Sequence, residues 1–151
     1  MVNPIKKTLF VLILMASTLM MSTAVVAQEW PLKGGDYWEV TGIDVADGAG
    51  FKYSSWLATE WRKNLDFAKS KGWIKDFKIL ANVHARKGEA SLYLVRVMES
   101  VPDAAEGEKR AAAWVEFQKK SVEKMQEESG NRAEYREVMS DSLLQELHFR
   151  D

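Results

Sequence analysis

Residues 77–98 read FKILANVHARKGEASLYLVRVM, and they give the clearest indication of the fold. Two runs rich in β-branched and aromatic side chains, 77–85 and 90–98, flank a short turn that contains Gly88. This pattern predicts a β-hairpin. If the turn closes on Lys87 and Gly88, the apolar cross-strand pairs are Val83 with Leu92, Ala81 with Leu94, and Phe77 with Met98. Because alternate side chains share a face, this set is expected to point towards helices.

The opposite face of the predicted hairpin is less usual. Its expected pairs are Leu80 with Val95, Asn82 with Tyr93, and His84 with Ser91. A sheet face in water is normally mostly charged, whereas these side chains are apolar, aromatic or neutral polar. We therefore expect the face to be covered, most simply by the same face of a second copy, which would close a barrel with a semi-polar interior. A loop of odd length would exchange the two faces. Arg96 falls on the helix side, where it is expected to lie at the edge or to meet a helix carboxylate.

The flanking sequence supplies the other elements. Residues 37–45 predict a first strand and residues 143–149 a last one. Leu57, Trp61, Leu65 and Ala68 recur at helical spacing, and a second helix is expected from Asp103 to about Gly130. The order predicts an α+β, ferredoxin-like βαββαβ sandwich, with a four-stranded antiparallel sheet and two helices on one face. Trp56 and Phe67 form a second apolar line on the first helix, and we expect the segment around Trp30 and Leu32 to cover it.

The N-terminal region predicts an export signal. Lys6 and Lys7 precede a long apolar run, and Val25-Val26-Ala27 fits a signal-peptidase site. The predicted organisation is a signal peptide over 1–27, an irregular lead-in over 28–36, and one domain over 37–150. The protein is then exported to the periplasm or secreted, with no stable membrane insertion after cleavage. The alternative is an uncleaved anchor, because residues 8–27 could span a bilayer.

Composition excludes several classes of function. The 151 residues include no Cys, two His and a formal net charge of −1. Thiol chemistry and disulfides are therefore excluded, and there is no basic excess to bind nucleic acid. The chain also lacks a phosphate-binding glycine loop and a dinucleotide fingerprint. We predict no cofactor and no metal.

Three stretches carry a family resemblance: YSSWLATEWRK (53–63), AKSKGWIKDFKIL (68–80) and LLQELHFR (143–150). With the element order, they resemble the dimeric α+β barrel superfamily, and most closely a group of exported bacterial proteins within it. The resemblance implies a homodimer with a cavity between sheet and helices. It implies no single activity, because the superfamily includes monooxygenases, haem-degrading enzymes, peroxidases, isomerases and binding modules. Its small haem-degrading members use a helix His as iron ligand, whereas both His here lie on predicted strands.

Four residues are candidates for one polar ligand-binding pocket: Asn82, His84, Tyr93 and Glu146. His84 could take part in proton transfer, and Glu146 could polarise a bound molecule. The alternative is that His84 and His148 lie near strand ends in water. A metal held by both His and Glu146 is disfavoured, because strands two and four are opposite edges of the sheet, roughly 14 Å apart. Trp38, Trp61 and Trp114 could form an aromatic cage, or belong to the core.

The leading hypothesis is an exported small-molecule binding protein, with a semi-polar cavity at a homodimeric sheet interface and a small apolar or aromatic ligand. One alternative is a cofactor-independent, monooxygenase-like oxidoreductase for an aromatic or quinone-like compound, oriented by Asn82, His84 and Tyr93. Another is a structural dimer without a ligand. An open cavity of roughly 300 Å³ or more, lined by Asn82, Tyr93 and Glu146, would favour binding or catalysis, whereas a filled interior would leave only the structural hypothesis.

Overall fold

A computed structural model describes residues 29–151, so the predicted signal peptide over 1–27 lies outside the described residues. The strands are β1 (Leu32–Val45), β2 (Asp76–Ala81), β3 (Leu92–Met98) and β4 (Arg136–Phe149). The first helical rod consists of α1 (Gly50–Trp56), a π-helical segment (Leu57–Trp61) and α2 (Arg62–Ser70). Two further helices, α3 (Ala104–Gln118) and α4 (Val122–Arg132), precede β4.

The four strands form one antiparallel sheet in the order β2-β3-β1-β4. The predicted α+β class and the four-stranded antiparallel sheet are therefore confirmed, and the architecture is compatible with a ferredoxin-like fold. It contains three helical rods where two helices were predicted. Within residues 29–151, each helix is too short or too polar to cross a membrane.

The two strands β1 and β4 are longer than the sequence predicts. Strand β1 begins at Leu32, inside the lead-in that was expected to be irregular, and Leu32 pairs with Phe149. The Gly34-Gly35 pair does not break the strand, because a register shift between Gly34 and Tyr37 absorbs it as a bulge. A Cβ on Gly35 would lie 2.3 Å from Nε2 of His148, so glycine permits the close approach of β4 here.

The β2-β3 hairpin is present, but its predicted register is wrong by two residues. Ala81 pairs with Leu92, and the connection is the ten-residue loop 82–91 instead of a tight turn. Asn82 closes this loop: its Nδ2 donates to the Ala90 carbonyl at 3.1 Å, and its Oδ1 accepts from the His84 N–H at 3.3 Å. These side-chain bonds compete with further pairing of the strands. An even shift leaves both faces unchanged, so Leu80, Tyr93 and Val95 alternate away from the helices, as predicted.

The core lies between the sheet and the first helical rod, in two clusters. One contains Ile43 and Leu94 from the sheet with Tyr53 and Leu57 from the rod. The other contains Leu65, Ala68, Ile74 and Met98. Their helical spacing explains why this rod forms against the sheet.

The predicted second helix is divided at Lys119, which adopts a left-handed backbone with φ of 52°. Such a residue ends a helix. Ser121 then starts α4, because its side chain accepts a hydrogen bond from the Lys124 N–H at 3.2 Å. Asp103 caps α3 in the same way, accepting from the Glu106 N–H at 2.8 Å.

Helix α3 packs against the side of α2. The rings of Phe67 and Phe117 stack with centroids 3.9 Å apart, and Trp114 lies 6.0 Å from Phe67. The expectation that the N-terminal lead-in covers Phe67 is therefore wrong, because α3 does so. No residue of α3 is fully buried. This helix consequently leaves space between itself and the sheet.

Candidate functional site

The space beneath α3 is a cavity of about 600 Å³. Leu65 and Ala68 line it from α2, and Ala111 and Trp114 line it from α3. Its sheet side is formed by residues whose side chains face the helices: Glu39, Arg96, Met98 and Leu143. The cavity therefore lies on the helix side of the sheet, away from the predicted dimer face.

A Glu39–Arg96 ion pair lies on the sheet side of this cavity. The two residues are direct partners in the β1-β3 register, which places their side chains next to each other on one face. Burial lowers the pKa of Arg96, and the nearby Asp141 carboxylate acts in the opposite direction. A guanidinium remains charged in either case. Arg96 therefore meets a carboxylate of the neighbouring strand, instead of the helix carboxylate that the sequence suggests.

A second carboxylate, Asp141, adjoins this pair. It lies opposite Thr41 in the β1-β4 register, and Thr41 Oγ1 donates to its Oδ1 at 3.1 Å. The sheet side thus presents two carboxylates and one guanidinium to the cavity. A polar substituent of a bound molecule could exchange hydrogen bonds with this group.

Aromatic side chains form the wall opposite the sheet. Trp73 and Trp114 both line the cavity, together with Arg110. The Arg110 guanidinium lies 5.7 Å from the Trp73 ring centroid, and its Nε donates to Glu106 at 2.8 Å. Apolar and aromatic walls with a few convergent polar groups are typical of small-molecule sites.

The four residues of the predicted polar pocket do not meet within one chain. Asn82 closes the 82–91 loop, and His84 is exposed in that loop beside the β2 edge. Tyr93 lies on the open face, where a Cβ on Gly42 would be 3.5 Å from its ring. Glu146 lies on β4, the opposite edge strand, with its carboxylate 3.9 Å from the His148 ring. A pocket that these residues share across two copies stays a prediction.

The other predicted constellations are also dispersed. Within residues 29–151, no group of three or more His, Asp or Glu lies close enough to hold a metal ion. Trp38 contacts Lys78 on the open face, Trp61 packs against Phe77 with centroids 5.5 Å apart, and Trp114 lines the cavity. These three indoles therefore do not form one cage.

Sequence reasoning missed Glu39 as a site residue and placed Arg96 only on the helix side. Arg96 is the lone charge in the otherwise apolar strand β3, and this signal could have drawn attention to it. Glu39 shares β1 with Lys33, Asp36 and Asp44, so the sequence carries no comparable signal for it. Comparison with protein-family models, curated proteins and solved structures finds no match to this chain. The cavity geometry therefore carries the functional conclusion.

Proposed function

We propose that this protein binds a small apolar or aromatic molecule in the cavity between the sheet and α3. The observation that carries the proposal is the cavity of about 600 Å³, with apolar and aromatic walls and the Glu39–Arg96 pair on one side. Ligand sites typically measure about 300–1,000 Å³ and combine these features. An apolar ligand body would pack against Trp114, and a polar substituent would face the ion pair.

The oxidoreductase alternative receives less support. It needs Asn82, His84 and Tyr93 around one substrate, yet the Asn82 side chain bonds to backbone groups of its own loop. His84 is exposed in that loop, and none of the three lines the cavity. Binding without catalysis is therefore the function we propose.

A fluorescent probe can test the binding proposal. N-phenyl-1-naphthylamine is neutral and aromatic, and its emission rises in apolar sites. We expect it to bind the purified protein, and Ala111→Trp to weaken binding by about tenfold or more because the indole fills the cavity. Ala112→Trp is the matched control, because Ala112 is exposed on the same helix and does not line the cavity.

The comparison of these two variants decides the outcome. Equal affinity of Ala111→Trp and Ala112→Trp, with both variants folded, would place the probe elsewhere and contradict the proposal. Absence of any probe binding to the unmodified protein would do the same.

We also propose that the protein forms a homodimer through the open sheet face, in the manner of dimeric α+β barrels. In support, β4 is an edge strand of 14 residues, and Leu80 and Leu144, which lie on the open face, are 47% and 54% exposed. Monomers rarely expose long apolar edge strands, and a two-fold axis would pair two copies of one surface. Light scattering should give twice the chain mass, and a monomer at micromolar concentration would contradict this.

The third part of the proposal is export. Its support is the sequence of residues 1–27, and the expected mature N-terminus is Gln28. N-terminal sequencing of protein recovered from the periplasm or the medium should begin at Gln28. Recovery of the intact chain in the membrane fraction would favour the anchor instead.

A further inference from the structure

A second cavity, of about 840 Å³, lies between the first helical rod and helices α3 and α4. Unlike the first, it is lined mainly by polar and charged side chains, with aromatic rings between them. Its members include Lys52 and Trp56 from α1, Gln118 from α3, Arg132 at the end of α4, and Tyr135 just before β4.

The two cavities share Trp114 as a common wall. On α2, Leu65 lines the first cavity while its neighbour Asn64 lines the second. On α3, Ala111 lines the first and Gln118 the second, a separation of about 10 Å along the helix axis. The cavities are therefore adjacent along α3, with Trp114 between them, and we call the two together the α3 groove: it is mainly apolar at one end and mainly polar at the other.

A hydrogen bond spans this groove beside Trp114. Gln118 Nε2 donates to Asn64 Oδ1 at 2.7 Å, which links α3 to α2. Both amides line the polar cavity, and the bond involves only two flexible side chains. An elongated ligand that passes Trp114 from the first cavity would enter the second cavity beside this bond.

Arg132 supplies positive charge at the polar end. Its guanidinium lies 4.5 Å from the Trp56 ring centroid, and its Nη1 donates to the Glu128 carbonyl at 2.9 Å. Its Nε is buried and has no hydrogen-bond partner among the described residues. Burial, and then the adjacent Arg136 charge, lower the pKa of Arg132. Because the Nε has almost no exposed surface, a ligand in the cavity would interact with Arg132 through the charge of its guanidinium. Two neighbouring guanidinium charges, Arg132 and Arg136, favour an anion.

The acidic residues around this cavity leave Arg132 available. The Glu128 carboxylate is held by Lys120 at 2.8 Å. Glu60 and Glu134 are exposed at the rim, so water screens them. Their negative charge disfavours a doubly charged ligand group more than it disfavours a monoanion such as a carboxylate.

From this arrangement we infer that the ligand is an elongated carboxylate, with its apolar body in the first cavity and its carboxylate at Arg132 in the second. The inference rests on the proposed function, because it extends the same ligand along the groove. Lys52, whose Nζ lies 4.1 Å from the Tyr135 ring centroid, adds positive charge at the same end.

Dodecanoate and dodecanol test this, because they share a chain and differ in the charged head. We expect Arg132→Gln to weaken dodecanoate binding by about tenfold or more, and to leave dodecanol binding nearly unchanged. Arg62→Gln is the matched control, because Arg62 is an exposed arginine outside both cavities. Lys52→Gln is a second, exposed test position and should weaken dodecanoate by about threefold.

The outcomes separate the inference from the proposed function. If both ligands bind and neither Arg132→Gln nor Lys52→Gln affects dodecanoate selectively, the inference is wrong and the proposed function stands. If Arg110→Gln weakens dodecanoate while Arg132→Gln does not, the head lies at the other end and the inference is also wrong. If N-phenyl-1-naphthylamine, dodecanol and dodecanoate all fail to bind, both are wrong.

Discussion

Lys78 reaches across the central strand β3 to Trp38: its Nζ lies 4.7 Å from the Trp38 ring centroid, although the two residues belong to strands on either side of β3. Lys78 is the register partner of Val95, and Trp38 is the partner of Val97. The pair therefore passes over β3 on the open face, where Val95 is only 1% exposed. Part of this face is thus covered from within the chain.

Lys78→Ala should destabilise the protein by about 1 kcal/mol, because it removes both the cation–π contact and the aliphatic stem above Val95. Lys78→Met keeps most of the aliphatic stem, so it should lower the free energy of unfolding by less. Urea unfolding of the two variants measures the difference. Equal losses would show that the stem contributes nothing to covering the face.

The Glu39–Arg96 pair should behave as a coupled unit. Arg96→Met alone leaves the Glu39 carboxylate, which is 24% exposed, without its counter-charge and should cost about 1–2 kcal/mol. This is below the cost for a fully buried pair, since Arg96 is 41% exposed and solvent screens the charge. Adding Glu39→Gln should recover part of the loss. A double-mutant cycle with no coupling energy would contradict this account.

Replacing Gly42 and Gly107 by alanine should change the stability of the protein in opposite directions. A Cβ on Gly42 would lie 3.1 Å from the buried Ala90 Cβ and 2.6 Å from Ser140 Oγ, so Gly42→Ala should destabilise by about 1–3 kcal/mol. Gly107 lies inside α3 with nothing within 4 Å, so Gly107→Ala should stabilise by about 0.5–1 kcal/mol. Thermal unfolding of both variants shows whether each substitution raises or lowers the stability. A stabilising Gly42→Ala would show that β1 is not confined there.

Tyr53 should make the protein sensitive to alkali. Burial raises the pKa of its hydroxyl above the ordinary value of 10.0, against the opposing charges of Arg136 and Arg132. The unfolded chain therefore loses this proton first, and the stabilisation present below about pH 10 is lost as the pH rises towards the folded pKa. Above about pH 10, the free energy of unfolding should therefore fall by up to about 1.4 kcal/mol per pH unit because of Tyr53. Tyr53→Phe should remove this decrease, which urea unfolding at several pH values measures. Parallel stability curves for the two proteins would contradict the assignment to Tyr53.

The fold class could be predicted because it depends on periodicity. Alternation in residues 92–98 assigned Leu94 and Val95 to opposite faces, and an even error in register did not disturb that assignment. The register itself depends on the hydrogen bonds of the Asn82 side chain, which composition does not reveal. The break at Lys119 was missed for a related reason, since lysine has no special preference for positive φ.

The candidate site was harder to predict than the fold. Its main polar pair joins β1 to β3, and that register could not be derived from either strand alone. The cavity exists because Phe117 packs on Phe67 and holds α3 away from the sheet, which is a tertiary contact. Asn82 and His84 were assigned to a strand that ends at Ala81, so they fell outside the site.

Backbone NMR during titration with N-phenyl-1-naphthylamine tests most directly whether the ligand site lies on the helix side of the sheet. The largest chemical-shift changes are expected at Leu65, Ala111 and Leu143, which line the cavity. Largest changes at Leu80, Tyr93 and Leu144, on the open face, would contradict this expectation.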